Sequence, residues 1–148
     1  MMMQAILNKA IKCFFLAGVL IVTDAGAQVE HASKPGVHFL EKDWQSVLTL
    51  AKKMHKPIFV DAYTTWCAPC QEMKQKTFTD PNIAAVFNAR FINVAIDVEH
   101  SAGISFADHY LVTVYPTLFF IDADGRVIKR MEGFADAKQL AAAAANMK

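Results

Sequence analysis

"VDAYTTWCAPCQEMK", Val60 to Lys74, decides how the rest of this chain is read. Cys67 and Cys70 stand three apart, with only Ala68 and Pro69 between them. The apolar run Ile58–Tyr63 leads into them, as a strand buried on both faces would, and the cysteines fall where a helix opens. A sulfur at a helix start meets unpaired backbone N–H groups and the positive end of the helix dipole, and both favour thiolate over thiol. A free cysteine has a pKa of about 8.5; a fall to about 7 leaves it half ionised at neutral pH. Thiolate is the attacking species in disulfide exchange. Residues three apart on a helix lie about 5–6 Å from one another, inside the window a disulfide tolerates. The pair can therefore open and close with little backbone movement. A structural staple across two residues would constrain almost no chain. A zinc centre needs about four ligands, and His31, His38, His55, His100 and His109 supply no second pair at suitable spacing. A two-sulfur grip on a soft ion such as Cu(I) stays open as a rival. Neither a resident metal nor a cofactor is expected.

The neighbours of the pair refine this reading. Pro69 puts no charge beside Cys67; a histidine there would stabilise the thiolate and make the disulfide more oxidising, so its absence leans the pair towards a reductant. Trp66 is either a flat apolar wall for docking a partner or ordinary packing at a strand end. Asp61 interrupts the apolar strand six residues before Cys67, on the side of Phe59 and Tyr63. Burial would raise its pKa, letting it take the proton Cys70 must lose before attacking a mixed disulfide. Pro116 is either a strand terminator or a cis bond that turns the Tyr115 backbone towards the sulfurs, where a substrate strand can pair.

Outward from the pair, the chain alternates. Trp44, Val47, Leu48 and Ala51 fall at helical spacing behind a capping Asp43, and Pro57 ends that helix. The cysteine helix runs to about Thr77. Asp80-Pro81 starts another helix, with Ile83, Val86 and Phe87 as its apolar face. Phe91–Ile96 is a buried strand, Ser101 to about Leu111 a helix, and Thr117–Ile121 a third strand. Asp124-Gly125 predicts a hairpin into Val127–Met131. Asp136 and Gln139 form a capping box for a last helix, with Leu140, Ala143, Ala144 and Met147 on one face. Strand–helix–strand units predict parallel pairing and the hairpin an antiparallel edge. The expected fold is α/β, a mixed central sheet flanked by helices.

The 148 residues suit one domain, and with 54% hydrophobic residues a core needs no disulfide support. Residues 1–27 read as a secretory signal: Lys9 and Lys12, the apolar run Cys13–Val22, then Ala25–Ala27. The run is about half of the roughly 20 residues that a membrane span requires. Residues 28–40 read as a flexible lead-in and 41–148 as the domain. Without the leader, 13 basic residues face 13 acidic ones, Cys67 and Cys70 are the remaining cysteines, and no basic patch invites nucleic acid. Export implies an oxidising compartment, the periplasm, where exposed thiols need a source of electrons.

"WCAPC" at Trp66–Cys70, Asp61 upstream, "YPT" at Tyr115–Thr117 and Gly133 after the hairpin strand together resemble the thioredoxin superfamily, from about Asp43 to the C-terminus. "KTFTDPNIAAVFNARFINVAIDV", Lys76–Val98, is similar to exported thioredoxin-like proteins and to the C-terminal domain of DsbD-type interchange proteins. The resemblance implies a thioredoxin-like fold, Cys67 as the exposed nucleophile, Cys70 as the resolving cysteine, Asp61 as the buried proton acceptor and Pro116 as a cis-proline facing the disulfide. Trp66, Tyr115 and Pro116 become the substrate-binding residues. Three positions depart from thioredoxin: Ala68 replaces a glycine, Asn93 stands where a lysine neighbours the buried Asp, and Tyr115 is bulkier than the usual aliphatic residue. The expectation is a monomeric exported thiol–disulfide oxidoreductase that reduces disulfides of periplasmic proteins and takes electrons from a separate donor protein, a membrane-bound one being an option. An oxidase, an isomerase and a copper-handling module are the alternatives.

Overall fold

The computed structural model describes residues 35–145 and Met147. The expected signal peptide, residues 1–27, and the first part of the lead-in lie outside the described residues. Helix α1 (Trp44–Met54) is capped by Asp43, whose carboxylate accepts from the Ser46 N–H at 2.9 Å and from the Ser46 hydroxyl at 2.6 Å. Strand β1 (Ile58–Tyr63) follows Pro57. Helix α2 (Ala68–Glu72) continues into a π-helical turn, Met73–Thr77. Helix α3 (Pro81–Arg90) starts on Asp80, which accepts from the N–H groups of Asn82 and Ile83. Strand β2 (Ile92–Asp97), helix α4 (Ala102–Tyr110), the hairpin β3 (Thr117–Ile121) and β4 (Val127–Glu132), and helix α5 (Ala137–Ala145) complete the order. Asp136 and Gln139 cap α5 reciprocally, at 2.9 and 2.8 Å.

The sheet order is β2-β1-β3-β4. β1 pairs with β2 in parallel, Ile58 opposite Ile92 and Asp61 opposite Ala95. On its other side β1 pairs antiparallel with β3, Ala62 opposite Thr117. The strand–helix–strand rule thus holds for β1 to β2 and fails for β2 to β3. The segment after α4 enters the sheet at the C-terminal end of β1, so β3 begins where the cysteine loop begins. That reversal brings Pro116 to the same end of the sheet as Cys67.

Alternation along β1 divides the core. Val60 and Ala62 join Val47, Val94, Phe106 and Phe119 on the α1/α4 face, while Phe59 joins Met73, Phe87, Leu118, Phe120 and Leu140 on the α2/α3/α5 face. Each fully buried large side chain contributes about 1.5–3 kcal/mol. Of the apolar face expected on α3, Ile83 and Phe87 are buried with Ala84, whereas Val86 is exposed. Residues 37–40, expected in the lead-in, are bound to the domain. The Val37 N–H donates to Phe78 O at 2.8 Å, the Leu40 N–H donates to Asn93 O at 2.9 Å, and Leu40 bridges Val94. Their apolar side chains supply the reason: Phe39 packs edge-on against Phe78, centroids 5.0 Å apart. Gly103 is needed where α4 closes on β2, because a Cβ there would lie 1.9 Å from Asp97 O.

Candidate active site

The site is built from three loops at the C-terminal end of β1. The Cys67 N–H donates to Thr64 O, turning the strand into α2. Cys67 is the N-cap, and its Sγ accepts from the Cys70 N–H at 3.1 Å. The two sulfurs are bonded, with Cα atoms 5.3 Å apart. The implied exposure of Cys67 needs correction for this closed state: it shows only 3% of its surface and Cys70 4%. The Cys67 sulfur turns inward to the Cys70 sulfur and amide rather than out to solvent.

The far end of the cysteine helix is tied to the loop after β4, which in turn holds Pro116. The Thr77 hydroxyl donates to Ala135 O at 2.9 Å and the Ala135 N–H to Met73 Sδ at 3.5 Å. Two residues earlier, Gly133, at a φ of 82° that favours glycine, donates its N–H to Pro116 O at 2.8 Å. The Tyr115–Pro116 bond is cis. Trp66 is 66% exposed yet held at both ends: its indole N–H donates to Glu99 Oε2 at 2.8 Å, and its ring meets Tyr115 edge-on at 5.7 Å. Val114 and Phe134 are exposed apolar residues on the same two loops.

Asp61 is 6% exposed, and its Oδ1 finds no hydrogen-bond partner among the described residues. Burial pushes its pKa up from the ordinary 3.8 to about 7, against a weaker downward pull from the Lys74 ammonium. A cavity of about 80 Å³ lies between Asp61, Tyr63, Cys70, Gln71, Lys74 and Phe39, room for about two waters. Asn93 does not stand in for the strand lysine: its amide donates to Phe87 O and Asn88 Oδ1, both at 3.3 Å, and so turns to α3. A larger groove of about 510 Å³ between α1, α4 and the β3–β4 turn holds neither cysteine. Among the described residues no group of three or more His, Cys, Asp or Glu side chains is placed to hold a metal.

The six expected site residues thus fall together, Asp61 under the helix and Trp66, Tyr115 and Pro116 on the loops beside it. Three neighbours were not legible. Lys74 lies four residues after Cys70, one helical turn along the same face, and that spacing was the available signal. The Phe39-Leu40 apolar pair was the signal for a bound segment. Glu99 carried none, because its partner is 33 residues away.

The geometry defines a thioredoxin-like domain carrying a cysteine pair that forms a disulfide. The thioredoxin-like domain family matches residues 44–148, and the chain belongs to that family. It is 31% identical to the thiol:disulfide interchange protein DsbD of Pseudoalteromonas atlantica over 108 residues, 71% of this chain and 18% of that protein. The chain therefore spans less than a fifth of the length of that curated relative. The structure of a candidate disulphide-isomerase from Bacteroides thetaiotaomicron is 34% identical, with a TM-score of 0.68 over 79% of this chain and 99% of that one. The oxidised C-terminal domain of Neisseria meningitidis DsbD, 24% identical, shares the fold with a TM-score of 0.58 over 70% of this chain and 91% of that one. Family, fold and the bonded Cys67–Cys70 pair give this domain the parts of a thiol–disulfide exchange centre. No helix among the described residues is long and apolar enough to cross a membrane.

Proposed function

We propose that this protein is exported to the periplasm and works mainly as a reductant of protein disulfides. The observation that carries the reading is the placement of a bonded cysteine pair at a helix start directly beside a buried carboxylate with a pKa of about 7. In the reduced state the Cys67 thiolate attacks one sulfur of a target disulfide. A Cys67–target bond forms, the target S–S bond breaks, and the second target sulfur leaves as thiolate. Cys70 then gives its proton to the Asp61 carboxylate and attacks Cys67 Sγ. The Cys67–Cys70 bond forms and the first target sulfur leaves as thiolate. Two electrons pass from the dithiol to the target; Asp61 afterwards loses its proton to water, and both target thiolates are protonated from solvent.

A pKa near 7 suits this task, because Asp61 then accepts and releases a proton at neutral pH with little driving force lost either way. Trp66, the Tyr115 backbone and Pro116 form the docking surface for an extended segment of the target, with Val114 and Phe134 as apolar flanks. Electrons reach the pair from a separate donor protein. Export rests on the leader read in residues 1–27, and the reductant direction on Ala68-Pro69, which put no cation between the cysteines.

Equilibration with glutathione redox buffers tests the direction: the expected potential is more reducing than that of the compartment, and a more oxidising one overturns the assignment. The similarity to a candidate disulphide-isomerase favours isomerisation as the second reading. Recovery of a scrambled disulfide substrate without net reduction would establish it. Trapping with the Cys70→Ser variant, stalled at the mixed disulfide, would capture the target proteins.

A further inference from the structure

Asp61 is a charged group placed where the sheet supplies no cation. β2 brings Ala95 beside it and β3 brings Leu118, neither charged. β1 adds Tyr63, two residues on, and the 37–40 segment adds Phe39. Cys70 faces it from α2. Among the described residues, the one cation on this cavity is Lys74, carried by the π turn of the cysteine helix. The other cation of that turn, Lys76, is engaged with Glu72 at 2.9 Å. Lys74 makes no such salt bridge among the described residues. Lys74 is exposed, at the rim, and lines the same small space as Asp61 and Cys70.

We infer that Lys74, at the mouth of the Asp61 cavity, is a positioning residue that sets how readily Asp61 takes and releases a proton. The inference rests on Asp61 being the proton acceptor for Cys70, as proposed above. A fixed lysine in the sheet would act on Asp61 alike in every state. A lysine on the cysteine helix instead ties the carboxylate's proton affinity to the element that carries both sulfurs. Its charge stabilises the ionised carboxylate, the form able to accept a proton. Removing it therefore raises the pH at which Asp61 ionises and leaves less acceptor at neutral pH. The ammonium sits at the rim, so water and salt weaken the effect relative to a buried pair.

Carbon-13 NMR titration of the Asp61 carboxyl in the oxidised full chain reads this directly, in wild type and in Lys74→Arg, Lys74→Met and Lys74→Glu. The Arg variant should titrate as wild type, Met higher and Glu higher still, with a total rise of a few tenths to about one pH unit. Added salt should raise the wild-type midpoint towards that of Lys74→Met. Equal midpoints in all four proteins overturn the inference, and so does a loss of thermal stability without a change of midpoint. The pH profile of mixed-disulfide resolution, measured by stopped flow on the same proteins, should move with the carboxyl signal. A moving carboxyl signal with an unmoved profile would leave Lys74's hold on Asp61 standing and overturn the proton-acceptor reading instead.

Discussion

Val60 and Asp61 are adjacent on the same strand, are both buried, and serve opposite ends. Val60 faces the α1/α4 side, a closed hydrocarbon layer in which Phe119 meets Phe106 at 5.9 Å and Tyr110 at 5.7 Å. Asp61 faces the α2 side, where a small cavity interrupts the packing beside Cys70. One face of β1 contributes stability; the other gives some of it up to hold a carboxylate whose proton can move. The pleat makes this possible, because successive side chains point to opposite sides and a charge on one leaves the other dry.

The sharpest way to break this contrast is Cys70→Ser, on the reactive face. It should abolish turnover of a disulfide substrate while a gel shift shows the accumulated mixed disulfide; turnover that persists would place resolution elsewhere. On the closed face, Phe119→Ala removes a fully buried ring and should cost about 3–5 kcal/mol in urea unfolding, independent of pH. Asp61→Asn should have the opposite sign and depend on pH. The folded-state pKa of about 7 lies above the ordinary 3.8. The unfolded chain therefore loses this proton first as pH rises, and the folded state is penalised progressively between about pH 4 and pH 7 and fully above it. The substitution should stabilise the oxidised protein at pH 8 by at most about 4 kcal/mol, at about 1.4 kcal/mol per pH unit, and change little near pH 3. The same variant should slow resolution more than the first attack, and equal slowing of both steps would remove the proton role. The smallest effect is expected from Glu99→Ala, which frees the Trp66 indole. Losing a hydrogen bond worth about 0.5–1 kcal/mol should raise KM for a protein disulfide about two- to fivefold. The rate with a small disulfide should stay unchanged, and Glu99→Gln should restore KM.

What the sequence disclosed follows the range of the physics involved. β1 was legible to the residue because Pro57 stops the preceding helix and an unbroken apolar run follows. The starts of α3 and α5 were legible because Asp80-Pro81 and Asp136 with Gln139 satisfy helix ends within four residues. The cysteine pair, Asp61 and Pro116 were found because each departs from its surroundings. The direction of β3 was not legible, since nothing between Leu111 and Pro116 states from which end the chain enters the sheet. Nor was the π turn, because its Phe78 N–H to Met73 O bond depends on Thr77 and Ala135 meeting across 58 residues. The position of Phe39 against Phe78 is likewise a tertiary choice, as is the reach of Lys74 into the cavity.

The bridge from Leu40 to Val94 has a bearing on solubility. It occupies part of the outer rim of β2, while Lys129, Arg130 and Glu132 stand along β4 at the opposite rim. Neither border then offers another chain a long uncharged template for strand addition. An extended segment docking at the cysteine end, as proposed above, would on this account find no second strand to pair with along the sides of the sheet.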